Sequence, residues 1–172
     1  MKKRILTWLL AISMLGSLLT VPAGAAAVTK FSDVSDSYTA TAVESLRLMG
    51  VLDGYGDGTF RPDTVLNRAQ FCKMAVYAMD GESELGLYRT VTVFPDVKPS
   101  HWASAYINMA ARKGIISGFA DGKFKPGQTV TAGQAVTILM RGLGYKDEDM
   151  GGVWPQSYMA EAQTNGLLKS TG

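Results

Sequence analysis

The chain has 172 residues and carries 17 Lys/Arg against 15 Asp/Glu, a formal charge of +2, with one cysteine and one histidine. One cysteine excludes an intramolecular disulfide, and one Cys with one His cannot close a transition-metal site. No basic run of the kind that tracks a phosphate backbone is present, so nucleic acid is excluded as a partner class.

Residues 1–27 read as a Sec-type signal peptide. Lys2, Lys3 and Arg4 form a basic start, residues 5–28 are uncharged, and Pro22 breaks the stretch before Ala23-Gly24-Ala25 and Ala25-Ala26-Ala27, which offer A-x-A cleavage sites. The apolar heart, residues 5 to 19, falls short of the ~20 residues that cross a bilayer. Loss of this leader removes three cations and no acid, lowering the formal +2 by three to −1. The remainder is expected to be secreted.

From residue 28 to 80 the pattern predicts a helix, a loop and a second helix. Phe31-Ser32-Asp33-Val34 leads into a helix carrying Val43, Leu46 and Met49, closed by Gly50. The loop Gly50-Val51-Leu52-Asp53-Gly54-Tyr55-Gly56-Asp57-Gly58-Thr59-Phe60-Arg61-Pro62 follows, with Asp57-Gly58 as a turn and Pro62 stiffening the exit. Asn67 is an N-cap for a helix that packs Phe71, Met74, Ala75 and Ala78 and holds Cys72 as a buried, inert thiol. Residues 81–90 lack clear periodicity and read as a linker.

Residues 91–144 repeat the unit. Phe94-Pro95-Asp96-Val97 matches Phe31 to Val34, and His101-Trp102-Ala103 opens a helix with Ala103, Ile107, Ala110 and Ala111 on one face, closed by Gly114. Sixty-four residues after the first loop comes Gly114-Ile115-Ile116-Ser117-Gly118-Phe119-Ala120-Asp121-Gly122-Lys123-Phe124-Lys125-Pro126, in register and without a gap. Thr131 caps a second helix, about 131–141, with Ala135, Ile138, Leu139 and Gly142 on its packed face. Residues 145–172 start a third copy: Trp154 precedes Gly166 by the same twelve positions that separate Trp102 from Gly114 and Tyr38 from Gly50. That copy reaches its first helix, and the sequence stops where the next Asp-Gly turn is due. Since one helix pair buries too little to stand alone, the copies must pack on one another in a mainly α fold.

The Asp-rich loop fails as a calcium site, and neither loop supplies the oxygen set of a hard cation. Counting from Asp53, EF-hand positions 3 and 12 are Tyr55 and Thr64. No cofactor or metal is expected. The carboxylates of Glu82, Glu84 and Asp147-Glu148-Asp149 sit in segments that read as solvated, and no defined cleft pairs them, so no enzyme is expected.

The ordered motifs Phe-x-Asp-Val, His-Trp-Ala and Gly-Ile-Ile-x-Gly-Phe-x-Asp-Gly-x-Phe-x-Pro, with a Thr-Arg-Ala-Glu-like helix start, resemble the S-layer homology (SLH) family over two full units and a partial third. The resemblance implies tandem helix–loop–helix SLH repeats packed as a pseudo-threefold helical bundle. It implies non-covalent anchoring to the bacterial cell wall by binding secondary cell-wall polysaccharide, often bearing ketal-linked pyruvate. The family's cationic position falls on Arg68 in Asn67-Arg68-Ala69-Gln70, whereas Thr131-Ala132-Gly133-Gln134 has no arginine, which puts the second unit's groove in doubt. The candidate polysaccharide-binding residues are therefore Arg68, Gln70, Trp102, Trp154, Asp33 and Asp96. A guanidinium forks onto a carboxylate and an aromatic face stacks on a sugar. Other roles stay open: both tryptophans as core anchors, Arg68 as a solvated first-turn residue, and Asp33 and Asp96 as turn or cap acceptors. The alternative function is a structural envelope protein making protein contacts, and the incomplete third unit leaves room for self-association.

Overall fold

The computed structural model describes residues 30–168; the expected leader at 1–27 lies outside them. Among these residues there are five α-helices and no sheet. No described helix is long and apolar enough to cross a membrane.

Local chemistry sets the helix starts. Helix α1, Ser37–Leu48, is capped by Asp36, whose carboxylate accepts from the Thr39 amide at 2.7 Å. Helices α2, Arg68–Ala78, and α4, Ala132–Gly142, both begin with a reciprocal capping box, Asn67 with Gln70 and Thr131 with Gln134. Helices α3, Ser104–Arg112, and α5, Gln156–Thr164, have no side-chain cap. Gly50, Gly114 and Gly166 follow the first helix of each unit with φ of 72°, 72° and 70°, the left-handed turn that closes a helix.

The main core gathers Cys72, Ala75 and Val76 of α2, Ile107 and Ala110 of α3, Phe94, Val97 and Phe124 of the second unit, and Ile138 of α4. Each second helix lies against the first helix of the next unit, α2 on α3 and α4 on α5, and α2 also meets α4. Backbone bonds lock the units in register: the Arg68 amide donates to Gln128 O at 2.8 Å, Ala69 to Pro126 O at 3.0 Å and Val130 to Leu66 O at 3.0 Å. Helix α1 packs into a separate small cluster with Phe31, Val34 and Leu52.

Three expected packing positions are corrected: Met49 and Leu139 are 60 % and 42 % exposed, and Ala78, in the last turn of α2, is exposed as well. Met49 is already the C-cap of α1, and α4 is pressed by α2 and α5 at once, which turns Val136, Ile138 and Met140 inward instead. Residues 82–88, without periodicity in the sequence, form a 3-10 helix held over α3. The fully buried Asn108 organises this connection: its amide donates to Tyr88 O at 3.3 Å and Ser104 Oγ at 3.1 Å, and its carbonyl accepts from the Val93 amide at 3.2 Å. Cys72 is fully buried, and burial pushes its thiol up to about 12, far from a reactive thiolate.

Candidate functional site

Each loop is built around the aspartate of its Phe-x-Asp-Val motif. Asp33 accepts from the amides of Phe60 at 2.7 Å and Arg61 at 2.6 Å; Asp96 accepts from Phe124 at 2.9 Å and Lys125 at 2.7 Å. The second amide in each pair belongs to a residue held at positive φ, 60° for Arg61 and 58° for Lys125, a conformation that needs such support. The ring of Phe31 or Phe94 lies where a Cβ on Gly54 or Gly118 would stand, at 2.1 and 2.5 Å, so both loop glycines are required for close approach as well as for φ of 72°. Asp33 and Asp96 thus shape the loops through both carboxylate oxygens, as turn acceptors.

These bonds have a pH consequence. The Phe60 amide holds the Asp33 carboxyl below its ordinary value; at Asp96 burial pushes upward but is outweighed by the Phe124 and Lys125 amides. Asp57 is held at about 2 by Thr59 and Arg61. Carboxyls depressed in the folded state stabilise it above the unfolded value of about 4, and that contribution is lost as pH falls through the folded values. The melting temperature is therefore expected to be flat from pH 8 to 5 and to drop steadily below about pH 4. Asp96→Asn should lower it at pH 7 and shallow the acid limb, as read by circular dichroism.

The loops also form walls of two grooves. The first, about 380 Å³, lies between units 1 and 2 and includes Tyr55, Arg61, Gln70, Lys73 and Trp102. The second, about 570 Å³, lies between unit 2 and the start of unit 3 and includes Arg68, Phe119, Gln134, Arg141 and Trp154. The six predicted residues are thus divided: Gln70 and Trp102 line one groove, Arg68 and Trp154 the other, and Asp33 and Asp96 stand behind the loops. Gln70 gives its side-chain carbonyl to the capping box, accepting from the Asn67 amide at 3.0 Å.

Neither tryptophan is a core anchor: Trp102 is 57 % and Trp154 51 % exposed. Trp102 stacks on His101 with centroids 5.7 Å apart, while the Trp154 indole N–H donates to Thr137 Oγ1 at 2.9 Å. Nor is Arg68 solvated. It is 5 % exposed and reaches out of its own unit into the next, donating from Nε to Phe124 O at 2.8 Å and from Nη1 to Gln134 Oε1 at 3.0 Å. Its guanidinium sits 4.5 Å from the centroids of both Phe119 and Phe124. The second unit, with Ala132 in place of an arginine, receives the arginine of the first.

No carboxylate of the described residues pairs with Arg68; the acids act on it only at a distance, through the field of Asp96. Burial pulls its pKa down, and a guanidinium in a protein stays charged. Desolvating a lone cation is unfavourable; two hydrogen bonds and two aromatic faces offset that cost, while the charge itself is left without a carboxylate to neutralise it among the described residues.

Sequence reasoning missed Arg141 at the far end of the second groove. It forks onto Asp147 at 2.8 and 2.7 Å and donates to Ser117 Oγ at 3.3 Å, while the Tyr158 hydroxyl donates to the same carboxylate at 2.5 Å. Its counterpart sixty-four residues earlier is Tyr77, which stacks on Tyr106 with centroids 5.8 Å apart. The repeat alignment displays this difference, but only the folded chain shows that the position faces a groove. Among the described residues no group of His, Cys, Asp and Glu is arranged to hold a metal ion.

The S-layer homology domain profile matches residues 30–72 and 93–136. The chain is 33 % identical over 144 residues to the middle cell wall protein of Brevibacillus brevis, covering 84 % of this chain and 14 % of that protein. It is 33 % identical to the surface layer protein of Brevibacillus choshinensis, covering 91 % of this chain and 14 % of that one. The cellulosome-anchoring protein of Acetivibrio thermocellus is 32 % identical over 66 % of this chain and 26 % of its own length. The chain thus spans about one seventh of each Brevibacillus relative.

Proposed function

The chain belongs to the S-layer homology domain family, and from that premise we propose that it attaches non-covalently to the bacterial cell wall by binding an anionic secondary polysaccharide in the groove between units 2 and 3. The observation that carries this reading is Arg68: a buried guanidinium with no carboxylate partner among the described residues, on the wall of a groove edged by an exposed indole. A sugar carboxylate, such as that of a ketal-linked pyruvate, supplies the missing counter-charge, and Trp154 offers a flat face to a pyranose ring. Gln134, which accepts from Arg68 at 3.0 Å, adds a polar side chain to the same wall. The reading places the chain at the cell surface in a binding role, in keeping with the surface-layer and anchoring names of the relatives given above.

The test is retention on purified peptidoglycan sacculi carrying their secondary polymer, against the same sacculi after hydrofluoric-acid extraction. The chain from Val28, which contains every described residue, is expected to be retained only by the first. Trp154→Ala should release it, and Trp102→Ala should have a smaller effect. A chain that melts cooperatively yet binds neither preparation overturns this reading in favour of protein contacts within the envelope.

A further inference from the structure

The two grooves are built from equivalent elements, yet their tryptophans are held differently, and the difference lies on α4. Thr137 is 4 % exposed; its hydroxyl donates to Gly133 O at 2.8 Å, one turn back, and this leaves its lone pairs directed away from the helix, where they accept the Trp154 indole N–H at 2.9 Å. Beside it, Gly133 admits the ring of Pro155: a Cβ there would stand 2.7 and 2.8 Å from Pro155 Cβ and Cγ. One turn of α4 therefore grips the Trp154-Pro155 pair through a hydrogen bond and a close contact that only glycine allows. Sixty-four positions earlier the same two places on α2 are Ala69 and Lys73, and the residue after Trp102 is Ala103. Lys73 has no acceptor atom to offer an indole, and its ammonium lies 5.4 Å from the Tyr77 ring instead.

We propose that Gly133 and Thr137 are positioning residues that pre-set the Trp154 indole as a rigid sugar platform, and that they make the groove between units 2 and 3 the selective saccharide site of the chain. The inference rests on the saccharide reading of that groove. It also gives a reason for Gly133 where the first unit has Ala69: glycine is needed there for the Pro155 contact. Ordering a large side chain before the ligand arrives removes that entropic loss from the binding step. In the first groove Trp102 stacks on His101 without a hydrogen bond like the one Thr137 supplies, so more of its ordering falls on the ligand.

The experiment compares Thr137→Val, Thr137→Ser and Gly133→Ala for affinity to polymer-bearing sacculi and for tryptophan emission. The background is Trp102→Phe, in which Trp154 is the lone tryptophan from Val28 onward. Thr137→Val should bind about tenfold more weakly, with red-shifted emission and lower anisotropy. Thr137→Ser should restore both. Gly133→Ala should reproduce the loss by displacing Pro155. Undiminished affinity in both Thr137→Val and Gly133→Ala, with Trp154→Ala still unable to bind, overturns the proposal and leaves the saccharide reading intact. Failure of the parent chain to bind any polymer-bearing sacculi overturns the saccharide reading itself.

Discussion

Arg68→Ala is expected to abolish retention on polymer-bearing sacculi and to destabilise the chain by about 2–4 kcal/mol. The variant strips the Phe124 carbonyl of its guanidinium donor, and an unsatisfied buried acceptor costs about 1–3 kcal/mol. It also removes a cation from between Phe119 and Phe124, worth about 0.5–2 kcal/mol for each ring. These contributions overlap at one side chain, so the estimate stays below their sum. Because every partner of Arg68 lies in the second unit, the loss falls on the junction of units 1 and 2. Arg68→Lys separates the two roles. It keeps the charge and loses the planar fork, and should recover part of the stability with little of the binding. Thermal melts and sacculus retention on the same preparations check both statements, and full binding by Arg68→Lys counts against bidentate recognition.

Phe124→Ala is expected to cost about 3–5 kcal/mol, the range for deleting a buried aromatic ring, whereas Phe60→Ala should cost distinctly less. The two residues occupy the same place in their loops and make the same ring contact, Phe124 with Phe94 at 5.6 Å and Phe60 with Phe31 at 5.7 Å. Phe124 is fully buried, because Arg68 of the preceding unit lies over it; Phe60, in the first described unit, has no such guanidinium over its ring among the described residues and is half-buried. Urea denaturation would show the asymmetry as a larger fall in midpoint for Phe124→Ala at an unchanged slope. Equal losses would mean that inter-unit cover contributes nothing to the burial energy of this ring.

Much of the architecture was legible in the residues. The duplicated loop, the helix-closing glycines and the caps Asn67 and Thr131 were readable because each depends on a few neighbouring residues: a left-handed turn needs glycine, and a free first-turn amide needs a side-chain oxygen. The buried, inert state of Cys72 was readable in the same way, from its place within an apolar helical pattern. The 3-10 helix at 82–88 was not, since its support comes from Asn108, a polar residue inside a helix whose apolar stripe gives no hint of it.

The candidate site divides along the same line. From the sequence alone come the unit and its repetition and the loop aspartates as turn acceptors, because these follow from residue type and short-range spacing; the candidate saccharide contacts come from the family resemblance. Only the tertiary structure decides which residues share a groove. Arg68 leaves its own unit to serve the next, Trp154 joins it from the third, Trp102 faces a different groove, and Arg141 lines the second groove beside Gln134 and Thr137. The physical reason is that each groove forms where consecutive units pack together. Its composition is set by side-chain contacts between units, such as Arg68 to Gln134 and Trp154 to Thr137, which no local periodicity encodes.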